Sequence, residues 1–274
     1  MTPPGLRPAS SAGAGRGLPG RPADRIRRVR SADDHAIILT VGDEITSGDI
    51  ANTNGRWLAA RLAVLGLPVR MLAAVPDDVE EIAGFVRERR TQCRWLIVTG
   101  GLGGTPDDVT REGVATAFGV GLEAHAASLA ALRGRFPEHT HDYVERFAML
   151  PAGAQPVDNP LGGAPGFRLE NVVVLAGVPA EMEATFGVAE RTVLGGGARP
   201  IRAVRLSYRT TESQIVAVLE RAMDEHPAVA VGSYPQFDGG VRRVDIVLKS
   251  ADPNALDAAA AWMGEELGQV LSAP

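Results

Sequence analysis

The run Trp95-Leu96-Ile97-Val98-Thr99-Gly100-Gly101-Leu102-Gly103-Gly104-Thr105-Pro106-Asp107-Asp108-Val109-Thr110 reads as a buried strand, a glycine-rich turn and an acidic helix start. Four glycines, two hydroxyls and two carboxylates therefore gather at one helix N-terminus. Glycine places no Cβ between ligand and backbone, so successive N–H groups can point at phosphate oxygens while the helix dipole adds positive potential. A carboxylate beside a phosphate repels it unless a divalent cation lies between them. Asp107 and Asp108 thus point to Mg²⁺ held through one or two carboxylates and the ligand's own phosphates. A plainer reading covers the same residues: a tight turn needs glycine, and Thr105 with Asp108 has the spacing of a capping box.

Upstream of this run the chain alternates strand and helix. Ala36 to Val41 is apolar and ends at Gly42-Asp43-Glu44, followed by Ser47-Gly48-Asp49 and Asn52-Thr53-Asn54. Trp57, Leu58, Leu62 and Leu65 then recur at helical spacing, with Gly66 as the stop. Val69 to Val75 reads as a second strand, and Pro76-Asp77-Asp78 opens a helix with Val79, Ile82, Phe85 and Val86 on one face. After the glycine turn, Val109 to Phe118 continues as helix. Such alternation predicts a mainly parallel sheet with helices on both faces, an α/β fold that binds ligands outside the carboxyl ends of its strands. That rule puts Asp43 and Glu44, Asp77 and Asp78, and residues 100–108 on one rim. Each acidic group alone is explained by helix capping; three on one rim exceed what capping requires.

Downstream, residues 122–150 read as helical, with Leu129, Leu132 and Phe136 on one face and a second short segment from His141. His125, His139 and His141 lack a metal-ligand spacing and read as solvent-exposed. The proline and glycine density from Leu150 through Phe167 predicts a fixed, irregular loop. Phe167 to Leu169 and Val172 to Leu175 flank Glu170-Asn171 as a hairpin, and Gly177-Val178-Pro179 leads into a helix, as an ordinary helix start or a second ligand-facing one. Leu194 to Pro200 reads as a linker. Beyond it, Ile201 to Tyr208 alternates like a strand, and Thr211 to Asp224 is amphipathic through Ile215, Val218, Leu219 and Met223. Ala228 to Ser233 and Val241 to Leu248 are two more strands, Tyr234-Pro235-Gln236-Phe237 with Gly239-Gly240 reads as a turn, and a helix starts near Asn254. The division expected is a tail over 1–34, an α/β domain over 35–193 and a small α+β domain over 200–274.

Composition narrows the function. The 274 residues, 45% hydrophobic, suffice for one large domain and one small one. The first 34 residues carry seven arginines against three aspartates, a charge of +4, which leaves the rest at −9. An acidic body argues against nucleic-acid binding, which depends on clustered Lys and Arg. The tail cannot bury enough apolar surface to order itself, and its arginines suit either an organelle transit peptide or a mis-assigned start. Lys249 is the one lysine, so no Gly-Lys-Ser/Thr phosphate loop exists. Cys93, the one cysteine, precedes a buried strand, reads as a structural thiol and suits a reducing, cytoplasmic setting. No apolar run is long enough to span a membrane.

The assembled motifs resemble the CinA-like, molybdopterin-binding branch of the MoaB/Mog superfamily. Matching stretches are Val41 to Gly48, Asn52-Thr53-Asn54, Val75 to Asp78, Gly100 to Thr110, Asn159-Pro160 through Phe167, and Ala176 to Pro179. Val231-Gly232-Ser233-Tyr234-Pro235 is similar to the KH-like small domain of that branch, and the whole is similar to the molybdopterin-binding-like half of two-domain FAD synthases. The resemblance implies a three-layer α/β/α domain, a dimer or trimer, and a nucleotide or pterin phosphate as ligand, with molybdopterin among the candidates. It implies adenylyl transfer to molybdopterin, cleavage of a pyrophosphate such as ADP-ribose or FAD, or binding alone. Asp77 and Asp108 match the family's functional acidic positions as ligands of Mg²⁺, Mn²⁺ or Co²⁺, with Asp43, Glu44 and Asp107 assisting. The phosphate contacts implied are Gly100, Gly101, Gly103, Gly104, Thr105, Thr110, Ser47, Asn159, Pro160, Gly177 and Pro179. Two departures from the family stand out: Gly104 occupies a position that is usually proline, and the C-terminal amidohydrolase domain of many CinA proteins is not expected here.

Overall fold

The computed structural model describes residues 35–195, 200–238 and 240–272; the expected tail over 1–34 and residues 196–199 of the expected linker lie outside them. The first element is β1 (Ala36–Val41), followed by a single-turn α1 (Asp43–Thr46), α2 (Thr53–Val64), β2 (Val69–Val75), α3 (Val79–Arg89), β3 (Trp95–Thr99) and α4 (Thr110–Phe118). β4 (Leu122–Ala124), α5 (Ala126–Arg135), α6 (His141–Glu145), β5 (Met149–Pro151), β6 (Gln155–Val157), β7 (Gly166–Leu169), β8 (Val172–Leu175) and α7 (Pro179–Ala189) complete this part. Six strands form one sheet in the order β2-β1-β3-β8-β7-β6. β1 runs parallel to β2 and β3, and β3 parallel to β8, while β7 and β6 turn back antiparallel. The hairpin is where the sequence placed it, with Glu170 at φ 50 in its turn.

Period-two alternation sorts the sheet's side chains onto two helical layers. Ile37, Leu39, Leu96, Val98, Val172 and Val174 pack with Ile82 and Val86 of α3 and Val114 of α4. Ala36, Ile38, Ile97, Val173 and Leu175 pack with Leu58 and Leu62 of α2 and Met182 and Phe186 of α7. Central strands β1, β3 and β8 are therefore buried at every position, which is why they read as unbroken apolar runs.

Within residues 122–150 the two expected helical segments form as α5 and α6, but both ends of the region are strands rather than helix. Leu122–Ala124 and Met149–Pro151 pair antiparallel as a two-stranded ribbon enclosing the helices. Only His139 of the three histidines is exposed. His125 caps α5, accepting from Ser128 N at 3.2 Å, and His141 Nε2 lies 3.1 Å from Phe136 O. Cys93 is buried, and burial pushes its thiol up to about 11, as a structural cysteine requires.

The second part comprises β9 (Arg202–Tyr208), α8 (Glu212–Glu225), β10 (Ala230–Asp238), β11 (Val241–Ser250) and α9 (Pro253–Ser272), with strand order β10-β11-β9 and both pairings antiparallel. Both helices cover one face, where Ile215, Val218, Ile246, Leu248, Met263 and Leu267 are buried together. Tyr234 to Phe237 belong to β10 and not to a turn: Pro235 sits opposite Val244 on an edge strand, where a missing N–H costs little. Met223, expected inward, is 38% exposed, and Ala222 takes the inner position instead. Truncating the fully buried Leu96 to Ala should cost about 2–5 kcal/mol of stability in denaturant unfolding. Met223→Ala should stay within about 0.5 kcal/mol; equal effects would contradict this assignment of inside and outside.

Candidate active site

The carboxyl ends of β1, β3 and β8 meet at a cleft of about 340 Å³. Glycine is forced at the meeting point. Gly100 adopts φ 109, and a Cβ there would lie 2.1 Å from Val41 O. Gly101 adopts φ 62, and its Cβ would lie 2.3 Å from Thr110 Oγ1 and 3.3 Å from Asp77 Oδ1. A Cβ on Gly177, after β8, would lie 3.2 Å from Gly100 Cα. A Cβ would clash outright at Gly100 and Gly101 and be tight at Gly177, so the strand ends approach as closely as glycine allows.

Of the expected residues, Glu44, Asp77, Asp107, Asp108, Gly100, Gly101, Gly177 and Pro179 line the cleft. Asp43 adjoins it: Asp43 N donates to Asp77 Oδ2 at 2.9 Å, and Asp77 N donates to Asp43 Oδ1 at 3.2 Å, tying the ends of β1 and β2 together. Asp108 Oδ2 accepts from Thr105 N at 2.9 Å and from the Thr105 hydroxyl. This pair closes a turn of its own, because α4 begins only at Thr110. Thr110 is fully buried, with Oγ1 unpartnered beneath Gly101. Gly103 and Gly104 are not among the residues that line the cleft, although a Cβ on Gly103 would lie 2.3 Å from Asp108 Oδ2. Their carbonyls accept from Arg111 at 3.1 Å and Arg146 at 2.7 Å, and a Cβ on Gly104 would strike Tyr143. Ser47 is exposed and donates to Asp49. Asn159 is buried away from the cleft, where Nδ2 donates to Ala164 O at 3.1 Å and Glu181 Oε2 at 2.7 Å, pinning the loop that contains Pro160.

No Lys, Arg or His lines the cleft. Asp77 consequently has its carboxyl raised above the ordinary value of 3.8, first by burial and then by the charges of Asp43, Glu44 and Asp107, against the lowering effect of the Asp43 N–H. Among the described residues no three His, Cys, Asp or Glu side chains form a group that could hold a metal ion by themselves.

Two further features escape sequence reasoning. Arg111, in the first turn of an acidic helix start, is buried, and its guanidinium donates to Leu102 O at 2.5 Å as well as to Gly103 O. Burial pulls its pKa down to about 10. It props the glycine loop from behind. Asn54 is also buried: Nδ2 donates to Gly177 O at 2.7 Å, linking α2 to the start of α7. Asn52-Thr53-Asn54 was visible as a motif, but its contact with Gly177 spans distant segments. The helices differ at their starts in a related way. Asn52, Asp78, His125 and Thr211 cap α2, α3, α5 and α8 through their side chains, whereas α4 and α7 begin on Val109 and Val178, which cannot.

A family model described as a probable molybdopterin binding domain matches residues 37–195, more than half of the chain and all of the cleft. The chain belongs to the molybdopterin-binding domain family. A second model, the FAD synthase middle domain, matches residues 200–273. A protein of Aeropyrum pernix is 42% identical over 212 residues, covering 73% of this chain and 79% of its own length. A CinA-like protein of Frankia casuarinae is 37% identical over 234 residues, covering 79% of this chain and 54% of its own, so the chain spans about half of that relative. In structure, CinA of Thermoplasma acidophilum matches with a TM-score of 0.55 at 32% identity, over 60% of this chain and 100% of its own. Among the described residues no helix is long and apolar enough to cross a membrane.

The shift at Asp77 has a testable sign. Above its raised folded pKa, the ionised carboxyl destabilises the folded protein relative to the unfolded chain; as pH falls through that value towards 3.8, the penalty disappears. In metal-free buffer Asp77→Asn should therefore raise the melting temperature at pH 7, with the gain shrinking as pH falls through the raised folded value and gone by about pH 4. A lower melting temperature at pH 7 would contradict the assignment.

Proposed function

We propose that this member of the molybdopterin-binding family is a metal-dependent hydrolase of nucleotide pyrophosphates, with ADP-ribose and FAD as the substrate type. The observation that carries the reading is a cleft lined by four carboxyl side chains and no basic residue, above the forced glycines Gly100 and Gly101. Such a floor leaves room for an anion close to the backbone, and such walls need a cation before the anion can enter. The donor set suits Mg²⁺, which typically takes one or two protein carboxylates and completes its shell with water and substrate phosphates. Asp77 and Asp108 are the residues assigned to hold it, with Glu44 and Asp107 beside them. When bound, a divalent ion neutralises charge developing on the phosphates and lowers the pKa of water. The chain's own contribution is to fix Asp77 through the reciprocal hydrogen bonds with Asp43, to fix Asp108 through Thr105, and to hold the loop rigid on Arg111. The similarity of residues 200–273 to the FAD synthase middle domain supports placing FAD among the substrates to be tried.

A second reading is supported by the family description itself: binding of molybdopterin without hydrolysis, or adenylyl transfer to it. The readings separate experimentally. With ADP-ribose or FAD and Mg²⁺, Mn²⁺ or Co²⁺, the hydrolase releases AMP, and Asp77→Asn or Asp108→Asn should lower kcat/KM by about 10²-fold or more. Absence of AMP from every metal and substrate pairing, with folded protein that binds molybdopterin, would replace the hydrolase by the binding module. AMP transfer to molybdopterin from Mg-ATP would favour the adenylyltransferase.

A further inference from the structure

Gly104 is a glycine for want of room. Its φ is not positive, so the backbone there makes no demand for glycine, yet a Cβ would lie 2.7 Å from Tyr143 Cε2 and 3.0 Å from both Tyr143 Cδ2 and Tyr143 O. The Tyr143 ring stands where a side chain at position 104 would be. That ring is itself supported: it meets Phe147 edge-on at 5.1 Å between centroids, and Phe147 meets Phe136 at 6.3 Å, so aromatic contact runs from Phe136, just after α5, to the glycine loop. Arg146 holds the same glycine, its Nη1 donating to Gly104 O at 2.7 Å.

Neither Tyr143 nor Arg146 lines the cleft, but the residue they hold adjoins Thr105. Thr105 donates to Asp108 Oδ2 through both its N–H and its hydroxyl, and the same oxygen lies over Gly103, 2.3 Å from where a Cβ would be. The Asp108 carboxylate is therefore seated on the peptides of residues 103–105. Arg111 fixes the carbonyls of Leu102 and Gly103. We infer that Tyr143 and Arg146 are positioning residues that fix Gly104 and so complete the seat of Asp108, setting where its carboxylate stands in the cleft. The inference rests on the reading that Asp108 holds the divalent cation. Residues that hold a metal ligand in place typically contribute about 10–100-fold to metal affinity without touching the ion. It is ring carbons of Tyr143 that fill the space beside Gly104, so Tyr143→Phe should serve as well.

Two measurements on the full chain test this: hydrogen exchange at the backbone amides of residues 103–108, and calorimetric titration of Mn²⁺ in the presence of AMP, the product of the proposed reaction, so that nothing turns over. Tyr143 is 45% exposed, so truncating it leaves the core packed. Tyr143→Ala should exchange faster in that segment and bind Mn²⁺ roughly tenfold more weakly, while Tyr143→Phe matches the unaltered protein in both. Arg146→Met, which keeps the ring and removes the donor, should shift both readings in the same direction. Gly104→Ala should also weaken Mn²⁺ binding, and combined with Tyr143→Ala it should cost less than the sum of the two single changes, because the methyl group enters vacated space. If exchange is unchanged in Tyr143→Ala and Arg146→Met, or quickens while Mn²⁺ affinity holds, the positioning role is overturned and the metal reading stands. If the unaltered protein takes up no Mn²⁺, both are overturned.

Discussion

The constraint on which the molecule depends is the contact among three strand ends at Val41, Gly100 and Gly177, where backbone touches backbone. A methyl group at Gly100 would sit inside the carbonyl of Val41, and one at Gly177 would press on Gly100. Parallel strands deliver their carboxyl ends to one edge, and the residues that follow each strand inherit that location. The acids after β1, β2 and β3 are drawn together by topology; their proximity needs no attraction between them. They repel, as the raised carboxyl of Asp77 records.

Sequence patterning made this much legible because its information is local. The unbroken apolar runs of β1 and β3 follow from helices on both faces, and a rim of acids follows once strand direction is known. What the sequence hid was non-local. Leu122-Glu123-Ala124 is too short to declare itself a strand and becomes one by pairing with Met149-Leu150-Pro151 across two helices. Pro235 reads as a turn residue in isolation but is tolerated in an edge strand. Met223 and Ala222 compete for the same inward position of α8, and the smaller fits against α9 and the sheet.

The same limit applies within the site. Arg111 looks like a surface charge at a helix start, yet the carbonyls of Leu102 and Gly103 turn towards it and accept from its guanidinium. A buried guanidinium is costly unless its donors are used, so the arginine and the loop conformation require each other. Asn159 shows the converse. Its motif suggested a ligand contact, while the hydrogen bonds to Ala164 and Glu181 give it the work of holding a loop.

Several local rules are broken around the cleft, as some are elsewhere: Trp95 Nε1, Thr185 Oγ1 and His226 Nε2 are also buried without partners, and α6 also starts without a side-chain cap. Four helices carry side-chain caps and the two that begin beside the glycine contact begin on valine. Asn54 Oδ1 and Thr110 Oγ1 are buried without partners, and Asp77 bears charge among like charges. Burying a polar atom without a partner and crowding like charges both cost stability, and under the proposed function a bound cation would relieve the charge at Asp77. Local rules broken at a cleft are what a functional site leads one to expect. Stability and ligand affinity are then coupled through the same atoms, so changes that relieve the strain in the free protein should weaken its hold on the bound one.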